Sequence, residues 1–251
     1  MINEADAHTG QPSLKDKRAV ITGGTTGIGR AIAVLLASYG AKVFICGRTP
    51  EHLDDALARI REVGEGDGMN IDLAERNGVE TFFQAARSYL GGLDIAVINA
   101  AIPIGGLTDA SAEEIRYAIA TDFTAYVMSA HAAHAMLDKT GDIVLIGSMS
   151  AHSLGADSSV YAGMKAGIAG FSEAIRKELG PKGVKVSLVE PGLTGADFQY
   201  PDIPADKQRE MIRKETMLRA EDIAVGVHYI LTQPRRAVVQ QLTIAPRLQD
   251  E

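Results

Sequence analysis

Short β-branched runs alternating with longer amphipathic stretches predict an α/β protein, a doubly wound parallel sheet of about seven strands with helices on both faces, in a single domain. Three observations carry this. The candidate strands read apolar almost throughout, as strands buried on both faces do. A helical pattern separates successive strands and supplies the crossover that parallel pairing needs. At 251 residues with 46% hydrophobic content, the chain is long enough to bury one substantial core.

Taken in order, the strands are expected at "RAVIT", "KVFIC", "GMNID", "LDIAVIN", "GDIVLIG", "VKVSLVE" and "RAVVQQLTI". Helices are expected at roughly residues 27–39, 50–63, 75–90, 112–137, 160–180 and 220–232. Residues 1–13 read as a loose polar tail and 14–251 as the domain. The irregular stretch of about 192–208, rich in Gly, Pro and Asp, follows the end of a strand and reads as a substrate lid reaching to about 218.

Composition narrows the function. A net charge of −7 argues against a broad nucleic-acid surface but leaves room for a local anion site. One cysteine, Cys46, forms no internal disulfide, and its apolar neighbours suggest a small buried residue in a reducing cytoplasm. No apolar run reaches the roughly 20 residues that span a bilayer, so no membrane partner is expected.

The first strand runs into "TGGTTGIGRAIAVLLA", where Gly23, Gly27 and Gly29 open a strongly periodic helix. Glycine lets the backbone turn tightly and lets a pyrophosphate approach helix N–H groups that favour anions. This is the strand-to-helix context of a dinucleotide (Rossmann) fingerprint, with a spacing of its own. The second strand ends in "FICGRTPEHL". A carboxylate there would suit two free ribose hydroxyls; the fork of donors on Arg48 suits a 2′-phosphate, which favours NADP(H), with NAD(H) as the alternative. Glu51 is expected to cap the helix that starts at Pro50, with the ribose hydroxyls as its alternative partner.

In "SSVYAGMKAGIAGF", Tyr161 and Lys165 stand one helical turn apart, so the ammonium can stabilise a phenolate. Ser148, at the end of "GDIVLIGS", can hydrogen-bond the same substrate oxygen. His131 and His134 stand three apart but lack a third ligand, so no metal is expected. His152 follows Ser148 closely, yet no G-x-S-x-G elbow exists to make a serine hydrolase.

From about Leu14 to Arg247 the chain resembles the short-chain dehydrogenase/reductase family. Thr22, Gly23, Gly27, Ile28 and Gly29 match its T-G-x-x-x-G-I-G pattern, Tyr161 and Lys165 its Y-x-x-x-K pair, and Ser148 its serine. "INAA" keeps Asn99 and Ala100 of the family's N-N-A-G, with Ile98 and Ala101 at the other two places. The resemblance implies a cofactor cradle of Gly23, Thr25, Thr26, Gly27, Ile28 and Gly29 at the pyrophosphate turn. It adds Arg48, Thr49, Asp72 and Leu73 around the adenosine, and Asn99, Ala100, Ala101, Tyr161, Lys165, Pro191, Gly192 and Thr194 toward the nicotinamide. It also implies a carbonyl/alcohol substrate, with Tyr161 as acid/base, Lys165 lowering its pKa and holding ribose hydroxyls, and a homo-oligomer, tetramer or dimer. The chain departs from the pattern where Asp122 replaces an asparagine of the proton path, Ala125 a glycine, and Ala196 a threonine whose hydroxyl Thr194 is expected to supply. Phe198, Tyr200 and Pro201 in the lid suggest an apolar or ring-bearing ligand.

Overall fold

The computed structural model describes residues 10–195 and 203–249. Seven parallel strands form one sheet: β1 (Arg18–Ile21), β2 (Lys42–Gly47), β3 (Glu65–Asn70), β4 (Leu93–Ile98), β5 (Leu137–Ile146), β6 (Val184–Pro191) and β9 (Gln241–Ile244), in the order β3-β2-β1-β4-β5-β6-β9. A second, two-stranded sheet pairs β7 (Thr194–Gly195) with β8 (Leu218–Arg219). The helices are α1 (Gly27–Ser38), α2 (Pro50–Val63), α3 (Gly78–Leu90), α4 (Ala112–Ile119), α5 (Ala125–Met136), α6 (Ser159–Leu179), α7 (Ala205–Arg213) and α8 (Ala220–Leu231).

Side chains alternate across the strands, and the alternation builds two cores. Val20, Phe44, Cys46, Ala96, Ile98, Ile143, Leu145 and Val186 face one side, where α3, α5 and α6 close over them. Ala19, Ile21, Val43, Ile45, Ile95, Val97 and Val144 face the other, under α1, α2 and α8. Helix α1 shows how its face is chosen: Ile28, Ile32, Ala33, Leu36 and Ala37 recur at helical spacing and are buried.

Several elements differ from the sequence reading, β5 starting at Leu137 rather than Gly141 and α3 at Gly78 rather than about 75 among them. Strand β3 begins at Glu65 rather than Gly68; it is a glycine-rich edge strand, and Lys42 pairs with Glu65 at 2.8 Å where β2 and β3 start. Of the run 236–244 only Gln241–Ile244 pairs, because a turn in which Ala237 N donates to Pro234 O takes up its front. The expected helix over 112–137 is interrupted by one π-turn, Ala120–Thr124, where Ala125 N donates to Ala120 O. The segment after β6 is less irregular than expected, holding β7, α7 and β8; Ala196, Phe198, Tyr200 and Pro201 lie outside the described residues, as do residues 1–9 of the expected tail.

Candidate active site

The strand order reverses at β1, which pairs with β2 on one side and β4 on the other. The connections leaving there diverge to opposite faces and leave a crevice at the strands' C-terminal edge. A cavity of about 1010 Å³ fills it, running from Gly23 and Arg48 past Ser148 and Tyr161 to Gly192.

The glycine turn is held from below. Gly23 has φ of +63° and Gly27 of +50°, and a Cβ on Gly23 would lie 2.8 Å from Ala100 Cα, so the close crossing of the two loops requires glycine. A Cβ on Gly29 would overlap the Gly23 carbonyl oxygen. Thr22 Oγ1 accepts from Asn99 N at 2.9 Å and Ala100 N at 3.1 Å, while Asn99 Nδ2 donates to the carbonyls of Thr22 and Gly23, both at 3.1 Å. Asn99 therefore braces the turn, and Ile98 beside it points into the core. Thr26, the N-cap of α1, makes no side-chain cap bond and the first turn carries no acid, which leaves amides and dipole for an anion. Thr25, Thr26, Ile28 and Ala101 line the same cavity. These residues fit a dinucleotide pyrophosphate.

At the adenosine end, Arg48 is exposed just after β2 and Thr49 stands at the N-cap position of α2 without a side-chain cap bond, with Glu51 in the first helical turn. Asp72 and the buried Leu73 follow β3 and line the cavity beside them. Asp72 Oδ1 accepts from Ala74 N at 2.9 Å, and its Oδ2 accepts from the hydroxyl of Tyr117. Arg48 Nη1 in turn donates to that hydroxyl at 2.5 Å. Burial and then the Asp72 hydrogen bond raise the Tyr117 pKa, with Arg48 opposing. Tyr117 was not singled out by the sequence: its partners are 45 and 69 residues away, and no motif marks it.

The chemical end is built by β5 and α6. Lys165 lies on the buried face of α6, 2% exposed, and its Nζ donates to Ile146 O at 3.2 Å; Tyr126 OH donates to the same carbonyl at 2.9 Å. The ammonium also stands over two rings, 5.0 Å from the centroid of Tyr126 and 5.4 Å from that of Tyr161. Ser148, half-buried, hydrogen-bonds the Tyr161 phenol and favours its anion. Burial pushes the Tyr161 phenol up to about 12, against the Ser148 bond, and the Asp122 carboxylate adds to the rise. Lys165 is placed against the ring and the Ile146 carbonyl, and desolvation of the phenol outweighs what Ser148 supplies.

Asp122 is fully buried on the π-turn. Its Oδ1 accepts from Ile102 N at 2.8 Å, and Oδ2 is buried without a hydrogen-bond partner among the described residues. Burial raises its pKa to about 6, moderated by the Lys165 charge, the Ile102 bond and Arg48.

Beyond β6, Pro191 ends the strand, Thr194 Oγ1 donates to Gly192 O at 2.9 Å, and Gln249 Oε1 accepts from Leu193 N at 2.9 Å. The Thr194 hydroxyl is thus engaged by its own turn, although the residue lines the cavity. Sequence reasoning also passed over buried Glu190, which His152 Nε2 meets at 3.0 Å and Gln241 Nε2 bonds from β9, tying the turn after Ser148 to β6. Among the described residues no group of three or more His, Cys, Asp or Glu is placed to hold a metal, and His131 is exposed. No helix among them is long and apolar enough to cross a membrane.

The family model for short chain dehydrogenases matches residues 17–206. An uncharacterized oxidoreductase of Staphylococcus aureus (strain USA300) is 31% identical over 93% of this chain and 98% of its own. A short chain dehydrogenase of Burkholderia cenocepacia J2315, solved in complex with NADP, superposes with a TM-score of 0.83 at 32% identity, covering 94% of this chain and 98% of that one. A singly substituted form of actinorhodin polyketide ketoreductase, solved with NADPH, gives a TM-score of 0.83 at 27% identity over the same shares of the two chains. With the glycine turn, the seven-stranded sheet and the Ser148, Tyr161 and Lys165 arrangement on the same chain, these matches make the protein an oxidoreductase of the short-chain dehydrogenase/reductase family.

Proposed function

We propose that the protein is an NADP(H)-dependent oxidoreductase acting on a carbonyl/alcohol pair, working as a ketone or aldehyde reductase. The observation that carries this reading is the cavity of about 1010 Å³ with Ser148, Tyr161 and Lys165 at one end and Arg48 at the other. The NADP and NADPH of the Burkholderia and polyketide ketoreductase structures support the choice of cofactor.

When bound, the nicotinamide supplies or accepts a hydride and, oxidised, brings a positive charge next to the phenol. In reduction, Tyr161 gives its phenolic proton to the substrate oxygen as the carbonyl carbon gains the hydride; in oxidation it takes that proton back from the alcohol. Ser148 donates to the same oxygen and limits where it can sit. Lys165, already fixed by Ile146 O, turns its remaining protons toward ribose hydroxyls and the phenolate. Asp122 holds the 99–102 loop through Ile102 N and keeps one carboxylate oxygen free beside Lys165, where it takes up or releases a proton near neutral pH.

Fluorescence titration with NADPH and NADH, followed by a carbonyl panel, tests the reading. NADPH is expected to bind at least about tenfold tighter, a difference of about 1.4 kcal/mol. Tyr161→Phe is expected to lower kcat by about 10²-fold or more while NADPH still binds. Equal or tighter NADH binding would instead make Arg48 a bystander and favour NAD-linked alcohol oxidation; no turnover on any carbonyl, with cofactor bound, would favour a nucleotide-binding scaffold.

A further inference from the structure

We infer that Tyr117 sets the preference for an adenosine 2′-phosphate by holding Arg48 and Asp72 in one hydrogen-bonded chain. The inference rests on the Arg48 reading above and adds a positioning residue to it. Arg48 leaves the end of β2 on an exposed loop, and a free arginine there samples many rotamers. Tyr117 removes that freedom. Its hydroxyl accepts from Arg48 Nη1 at 2.5 Å, and its ring lies under the guanidinium carbon, 5.6 Å from the centroid.

The hydroxyl is itself fixed, because its proton goes to Asp72 Oδ2 and Asp72 Oδ1 is anchored by Ala74 N at 2.9 Å. The helix beneath is firm: α4 opens with a capping box in which Glu114 N donates to Ser111 Oγ at 3.2 Å and Ser111 N to Glu114 Oε2 at 2.8 Å. Each link uses one donor and one acceptor, so Arg48 keeps four N–H groups free of Tyr117 to meet a phosphate. Standing between the two charges, the phenol also screens Arg48 from Asp72, with which it would otherwise be drawn to pair in place of the ligand.

Preorganisation of this kind acts on the ligand that uses the guanidinium and leaves the other largely untouched. Calorimetric dissociation constants of the intact protein and of Tyr117→Phe for NADPH, NADH, 2′,5′-ADP and 5′-AMP test it, with melting curves to verify folding. Loss of the hydroxyl is expected to weaken NADPH and 2′,5′-ADP by about three- to tenfold and to move NADH and 5′-AMP by less than about twofold. A preference unchanged in the variant, or NADPH binding tightened by release of Arg48, overturns the role of Tyr117 while leaving the Arg48 reading in place. Wild-type protein that binds NADPH and NADH equally overturns both.

Discussion

Asp122 shows most directly how one buried atom governs the site. Its folded pKa of about 6 lies above the ordinary carboxylate value, so the folded chain holds its proton longer than the unfolded chain does as pH rises. Stability is therefore lost between about pH 4 and about pH 6, where the carboxyl is ionised in the unfolded chain but still protonated in the folded one, and the loss is complete above that window. Asp122→Asn keeps the acceptor for Ile102 N and removes the charge. Its unfolding free energy relative to wild type is expected to gain at most about 3 kcal/mol from pH 4 to pH 7 and then level off. Urea unfolding of both proteins at several pH values measures this, and a pH-independent gap would mean that Asp122 titrates as an exposed acid. Asp122 itself was legible in the sequence as a departure from an expected asparagine. The unpartnered Oδ2 was not, because it depends on a π-turn that periodicity does not register.

At the scale of elements, glycine positions decide whether β1, α1 and the loop after β4 can meet. Gly29 carries the sharpest case, since a methyl group there strikes the Gly23 carbonyl and also Asn99 Nδ2, 2.6 Å away. Gly29→Ala is expected to cost about 2 kcal/mol or more of stability and to weaken dinucleotide binding at least about tenfold, read by thermal melts and fluorescence titration. Unchanged binding would show that the turn relaxes freely. The strands with long β-branched runs, such as "LDIAVIN" and "VKVSLVE", were legible because each carries both cores' alternation in one stretch. The "EGDGMN" strand was legible only in its second half, since glycine and acids have low strand propensity and its pairing comes from Lys42 and the β2 backbone. Ser148, Tyr161 and Lys165 could be grouped from spacing and resemblance. The links of Arg48 through Tyr117 to Asp72 could not, because they join a strand end, a helix and a second strand end distant in sequence.

Across the whole molecule, anchoring and chemistry sit at opposite edges of the sheet. Where β1 and β4 begin, Arg18 donates from N at 2.9 Å and Nε at 2.8 Å to Asp94 Oδ2, locking the register of two central strands; at their far ends lie the glycine turn and the cavity. The net charge of −7 makes Arg48 and Lys165 local exceptions, placed where an anion and a phenolate need them. Cys46 belongs to the same central layer: it faces one core at 1% exposure, and burial pushes its thiol up to about 12. At pH 8 only about one thiol in 10⁴ is then ionised, and a disulfide reagent such as 5,5′-dithiobis(2-nitrobenzoate) is expected to find none in the native protein and one after denaturation. The chain's sole cysteine being silent, a cysteine placed on an exposed helix face becomes a unique handle for a fluorophore, and pairs of such handles across the crevice can report distances without removal of the native thiol.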